Sequence, residues 1–175
     1  MEGESCSIMS LFLAAIIAIV GLIGYKVVTR KDREALVSVT RGWAREDLPL
    51  WVVGHLDAFN AVDFWRQVAP ECFAVGEFSG SVINILRSDE PNPHTVISGT
   101  VGRIAKATIY LPKNFDEMPS HIRFRTLAHE LGHVLGLDHD DFPESVMYPR
   151  ADAREEPIVT EKDKQLLRIM YGKGY

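Results

Sequence analysis

Cysteine is scarce in this chain: its 175 residues include two, Cys6 and Cys72, one on each side of a strongly apolar segment. If that segment crosses a membrane the two cannot pair within one chain, so cysteine usage fixes no redox compartment. A stripe of basic charge is also lacking. There are 19 Lys and Arg against 24 Asp and Glu, a formal net charge of −5 with the signs interspersed. That excludes the electrostatic footprint nucleic-acid binding requires. Internal repeats and low-complexity tracts are absent as well. What is present is an ordinary apolar share, 46%, in a length that suits one domain able to bury a real core.

Residues 8–25 carry no charged side chain. Read as a helix rising ~1.5 Å per residue they reach ~27 Å, close to the hydrocarbon thickness of a bilayer. A cleaved signal peptide wants a basic start and a small-x-small cleavage site, whereas this start carries Glu2 and Glu4, and residues 21–25 offer no Ala-x-Ala. A buried core helix fits less well, because the run is apolar on every face and sits at a terminus. The expectation is a single-pass membrane anchor with a basic stalk over residues 1–35 and a folded domain over residues 36–175. Lys26, Arg30, Lys31 and Arg33 all follow the apolar run while no Lys or Arg precedes it, which by the positive-inside rule leaves the domain in the cytoplasm.

Within the domain, an apolar run at residues 50–53 suits a strand, and Phe59, Val62, Trp65 and Val68 recur at helical spacing over 57–68. Segments 82–86, 95–101 and 105–111 are rich in β-branched residues and punctuated by Gly80, Pro91, Pro93, Gly99 and Gly102, so they read as strands of one sheet. Ser120 is a plausible N-cap for a helix whose apolar stripe is Phe124, Leu127, Ala128, Leu131, Val134 and Leu135. A last helix opens with Thr160 and Asp163 as a capping box, runs through Leu166, Leu167 and Met170, and ends at Gly172. The class is α+β, helices on a sheet.

The chemistry lies in the string His129-Glu130-Leu131-Gly132-His133-Val134-Leu135-Gly136-Leu137-Asp138-His139. Two histidines four residues apart stand one turn apart on one helical face, so both imidazoles can reach a single zinc ion at ~2.0–2.1 Å. A third ligand at a tetrahedral angle cannot come from the same straight helix. The chain must turn, and Gly136 tolerates the left-handed backbone this requires, letting His139 swing in. Three protein ligands leave one position open, the mark of a catalytic zinc. Glu130 adjoins a ligand but is rotated around the helix, which makes it the natural general base toward a water whose pKa zinc lowers to about 7. A bare H-E-x-x-H arises by accident on surface helices. Five specified positions coincide by chance on the order of once in a hundred thousand chains of this length. His55, His94 and His121 have no partners at ligand spacing and are assigned to surface or core roles.

This H-E-x-x-H-x-x-G-x-x-H string is the metzincin signature, and Ser145-Val146-Met147-Tyr148-Pro149 resembles its Met-turn. Within that group the chain is most similar to the matrixins, on the short path from third histidine to Met-turn and on the Met-Tyr-Pro sequence. The resemblance implies a twisted mixed β-sheet with one edge strand lining the substrate cleft, an N-terminal packing helix, an active-site helix behind the cleft and a C-terminal helix beside the Met-turn. It implies Met147 as an apolar floor under the histidines, with Tyr148 and Pro149 walling the pocket for the residue that follows the cleaved bond. It also implies a metalloendopeptidase acting on peptide or protein substrates, extracellular by family habit, against the cytoplasmic orientation that the flanking charges favour.

The departures are specific. No Pro-Arg-Cys-Gly-type switch precedes the domain, so latency through a cysteine on zinc is not expected. The loop at 88–94 holds Asp89, Glu90 and a lone His94 without a ligand series, so the expectation is one catalytic Zn2+, with structural Ca2+ or a second Zn2+ not counted on. Asp140 stands where matrixins more often carry a small hydroxyl residue, and reads either as a loop cap or as support for the turn. A two-histidine site completed by Glu155, Glu156 or Glu161 would leave His139 idle. A membrane-anchored, zinc-stabilised binding domain would be expected to lack the base, yet Glu130 is present. Substrate is expected to add as a strand near residues 95–101.

Overall fold

The structure is a computed structural model and describes residues 42–74, 80–150 and 156–172. The anchor and stalk expected over residues 1–35 lie outside the described residues. Among the described residues no helix is long and apolar enough to cross a membrane.

In chain order the elements are β1 (Gly42–Trp43), β2 (Trp51–Val53), α1 (Ala58–Arg66), β3 (Val82–Ser88), β4 (His94–Thr100), β5 (Arg103–Pro112), α2 (Ser120–Val134) and α3 (Glu161–Tyr171). The sheet is mixed, as the resemblance implies. β5 pairs in parallel with β3 from Asn84↔Thr108 to Ser88↔Pro112, and with β1 at its start; β2 continues the sheet in parallel beyond β3. β4 lies antiparallel along the other edge of β5, from His94↔Tyr110 to Thr100↔Arg103, with a bulge at Ser98/Gly99. Among the described residues β4 has no second strand partner, so its outer edge is open.

The period of two sorts the sheet's faces. Ile83, Ile85, Ala107, Ile109 and Leu111 are buried on the inner side, and the register Thr95↔Ile109 and Ile97↔Ala107 sets Thr95 and Ile97 on that same side. Against this face lies α2, with α1 packed along it. α1 buries Ala58, Ala61, Val62 and Trp65, an i, i+3, i+4, i+7 stripe. Trp65 is wholly buried and its indole donates to Ala128 O of α2 at 2.7 Å.

Two expectations about helix starts part company. α3 opens with the capping box: Asp163 N donates to Thr160 Oγ1 and Thr160 N to Asp163 Oδ2. Ser120, by contrast, is the first helical residue of α2; the cap position belongs to Pro119, which offers no side-chain acceptor. Proline at the boundary sets the chain direction there, so the hydroxyl is not needed as a cap. The two-residue β1 carries no periodic signal in the sequence and forms because Trp43 is buried beside Ile104.

Candidate metal centre and active site

α2 ends in a Schellman turn. Gly136, at φ 90°, takes the left-handed position; its N–H donates to His133 O at 2.9 Å, and Leu137 N donates to Gly132 O at 3.0 Å. This reverses the chain three residues after the second histidine and carries His139 back toward the helix. The potential ligand atoms of His129, His133 and His139 all lie within 4.8 Å of one another. Ring centroids are 4.7 Å apart for His129 and His133, 5.2 Å for His129 and His139, and 4.9 Å for His133 and His139. The spacing predicted from the string is the arrangement found.

Backbone carbonyls set the ring orientations. His129 Nδ1 is 2.8 Å from Val146 O, and His133 Nδ1 is 2.8 Å from Leu137 O. A carbonyl only accepts, so each Nδ1 carries the hydrogen and each Nε2 the lone pair. Those two Nε2 atoms face each other at 3.1 Å. Neutral rings so arranged have nothing to share between them, and their lone pairs repel unless a proton or a cation stands there. A proton is disfavoured: burial, first of all, pushes His129 from 6.5 down to about 4, against the pull of the Val146 hydrogen bond. Burial likewise lowers His133. Two nitrogens bound to one tetrahedral ion at ~2.05 Å would stand about 3.3 Å apart. The donor set and its spacing therefore fit a zinc ion.

Glu130, the next residue along α2, is 3% exposed. Its Oε2 accepts a hydrogen bond from Thr95 Oγ1 at 2.6 Å. Burial raises this carboxyl above its ordinary value, opposed by the Thr95 bond and by the charge of His94.

The Met-turn supports both His129 and the helix. Val146 supplies the carbonyl on His129, and Ser145 Oγ accepts from Met147 N at 3.0 Å. Buried Arg125 of α2 donates to Pro143 O and Ser145 O at 3.0 and 2.9 Å. Met147 is wholly buried against Gly132: a Cβ at Gly132 would come within 2.2 Å of Met147 Sδ and 2.9 Å of Trp65 Cζ2. Asp140 acts as a loop cap, its Oδ1 accepting from Phe142 N at 3.1 Å and its own N–H donating to Met147 O at 2.9 Å.

The remaining histidines take the surface and packing roles expected of them. His55 pairs with Asp116 at 2.8 Å, His94 stacks on Tyr110, and His121 is exposed. The contributions of Thr95, Val146 and Leu137 were not legible from the string. Two act through backbone oxygens, which every residue has, and the third sits 35 positions from its partner.

A helix carrying two zinc-spaced histidines and a glutamate, a glycine reversal to a third histidine, and a Met-turn beneath it define the metzincin class. A family model described as Matrixin matches residues 58–172, and the chain belongs to the matrixin family. It is 33% identical to matrilysin from Felis catus over 167 residues, covering 85% of this chain and 59% of that protein. It is 43% identical to matrilysin from Rattus norvegicus over 61 residues, 33% of this chain and 23% of that one. Against matrix metalloproteinase-9 from Canis lupus familiaris the figure is 45% over 49 residues, 28% of this chain and 7% of that one. The chain thus spans less than two thirds of the length of each of these relatives.

Proposed function

We propose that this protein is a zinc-dependent endopeptidase, with the metal held by His129, His133 and His139 and with Glu130 as general base. The observation that carries this is the pair of lone-pair-bearing Nε2 atoms facing each other at 3.1 Å, with a buried carboxylate on the adjacent helical position. Zinc, when bound, supplies a Lewis acid that polarises the scissile carbonyl and acidifies the attacking water. Glu130 accepts the proton of that water and delivers it to the leaving amine, so the peptide bond is hydrolysed without a covalent enzyme intermediate. The open edge of β4 supports an extended peptide adding as an antiparallel strand, with main-chain hydrogen bonds holding it. Proline substitutions along residues 95–101 that left cleavage unchanged would remove that part of the reading.

The test is cleavage of a mixed peptide library by the purified, zinc-loaded chain, beside a chelated sample and Glu130→Gln. Loss of the carboxylate should lower kcat/KM by about 10²- to 10⁴-fold, and chelation should abolish cleavage until zinc is restored. Zinc bound one to one with no peptide cut would instead point to a zinc-stabilised binding domain.

The charge-free run at residues 8–25 supports a single-pass anchor, with residues 36–175 as the catalytic domain. Retention of the full chain in the membrane pellet after alkaline carbonate washing is expected; release into the supernatant would overturn it. The basic residues after the run favour a cytoplasmic domain, family habit an extracellular one, and protease protection of intact cells separates the two.

A further inference from the structure

Among the described residues, the hydrogen bond that reaches the Glu130 carboxylate comes from another element of the fold. Thr95 Oγ1 lies 2.6 Å from Glu130 Oε2 and 3.2 Å from Glu130 O. A hydroxyl has one proton to give, and the shorter contact and the charge of the acceptor assign it to the carboxylate. Thr95 arrives there by strand geometry. It sits on the inner side of β4, registered opposite Ile109 of the central strand β5, whereas its neighbours His94 and Val96 belong to the outer side. Its β-branched side chain has restricted χ1, so the hydroxyl is presented in a fixed direction. A glutamate, in contrast, has several rotatable bonds and loses on the order of 2 kcal/mol of rotamer entropy when held in one conformation.

We propose that Thr95 is a positioning residue for Glu130: its hydroxyl holds Oε2 and leaves the other carboxylate oxygen to handle the proton of the attacking water. This rests on the peptidase reading above. Because Thr95 belongs to the strand whose open edge would take the peptide, base and substrate are located by one and the same element. A hydroxyl that merely satisfied a buried carboxylate would contribute to stability and leave turnover per folded molecule unchanged.

The experiment compares Thr95→Val, which keeps the shape and removes the donor, with Thr95→Ser, which keeps the donor. Rates are expressed per zinc-loaded molecule of the full chain, using a peptide that the wild type cuts. Thr95→Val should lose about 10- to 100-fold in kcat with KM within about two-fold of wild type, and Thr95→Ser should stay within about three-fold on both. If Thr95→Val does not fold, Thr95→Ala removes the donor without the added methyl.

A second readout needs no turnover. In metal-free protein carrying ¹³C-labelled glutamate, the Glu130 carboxyl resonance, assigned by its loss in Glu130→Gln, should move in Thr95→Val and return toward its wild-type position in Thr95→Ser. An unmoved resonance, an unchanged kcat, a kcat loss shared in full by Thr95→Ser, or an effect confined to KM each overturns the proposal. A zinc-loaded wild type that cuts nothing sinks the peptidase reading and this role together. An active wild type matched by Thr95→Val sinks this role alone.

Discussion

A neutral imidazole has one nitrogen that donates and one that accepts, and at His129 and His133 two carbonyls 2.8 Å away decide which is which. His129 binds its proton at about 4 in the folded protein against 6.5 ordinarily, so between those values the unfolded chain holds a proton that the folded one lacks. Stability contributed by this group is present above the unfolded value and is lost as pH falls. Glu130 runs the other way, since burial raises its carboxyl and ionising it as pH climbs costs stability. Metal-free Glu130→Gln removes that opposition. Its unfolding free energy in urea should be about 2 kcal/mol lower at pH 5 than at pH 7 on account of His129, with His133 adding in the same direction. A flat profile between those pH values would show that the ring is not buried as described. Legibility at this scale was uneven. The three histidines and the glutamate could be named because a metal constrains spacing along one helix, whereas Thr95 could not, because a hydrogen bond across 35 residues leaves no local pattern.

The end of α2 shows why an element carries more than its own periodicity. The last four carbonyls of a helix have no intrahelical partner. Here Gly132 O and His133 O accept from Leu137 N and Gly136 N, Val134 O accepts from the Trp43 indole at 2.7 Å, and Leu135 O accepts from the Tyr171 hydroxyl at 2.8 Å. The two glycines of the string thus do different work. Gly136 was readable as a reversal because left-handed backbone excludes most side chains, and Gly136→Ala should cost about 1–2 kcal/mol while loosening the Leu137 carbonyl on His133. Gly132 is helical, and its need for smallness comes from Met147 and Trp65 pressing on it. Gly132→Ala should cost about 1–3 kcal/mol through overpacking, seen as a lower Tm in the metal-free protein. A Tm equal to wild type would mean that Met147 swings aside freely. Of the two helix starts, the reciprocal Thr160 and Asp163 pair was legible because both halves of the motif are side chains at fixed offset. Ser120 misled because a hydroxyl near a helix start is a cap only if the preceding backbone leaves it that position.

Across the whole molecule, the two ends of the described chain converge on α2, the helix that carries His129 and His133. Trp43 lies 91 residues before the carbonyl it caps, and Tyr171 lies 36 residues after its own. Tyr171 also accepts from Trp43 N at 3.3 Å, closing the arrangement. Tyr171→Phe leaves Leu135 O unmet in a buried site and should destabilise by about 1–3 kcal/mol in denaturant unfolding. If it costs nothing, water replaces the phenol and α3 packs loosely there. Zinc that binds the folded state alone should raise Tm with its free concentration, and chelation should reverse the rise. By itself the sequence determined the α+β class, four of the strands to within about two residues, the three helices and the histidine-glutamate string, since each is written in local periodicity or in spacing that a metal demands. Tertiary structure alone decided which carbonyls orient the histidines, which hydroxyl holds the glutamate and why Gly132 has to be small. Those depend on atoms that meet only after the chain has folded, because a backbone oxygen or a hydroxyl on another element leaves no periodic mark in the sequence around its partner.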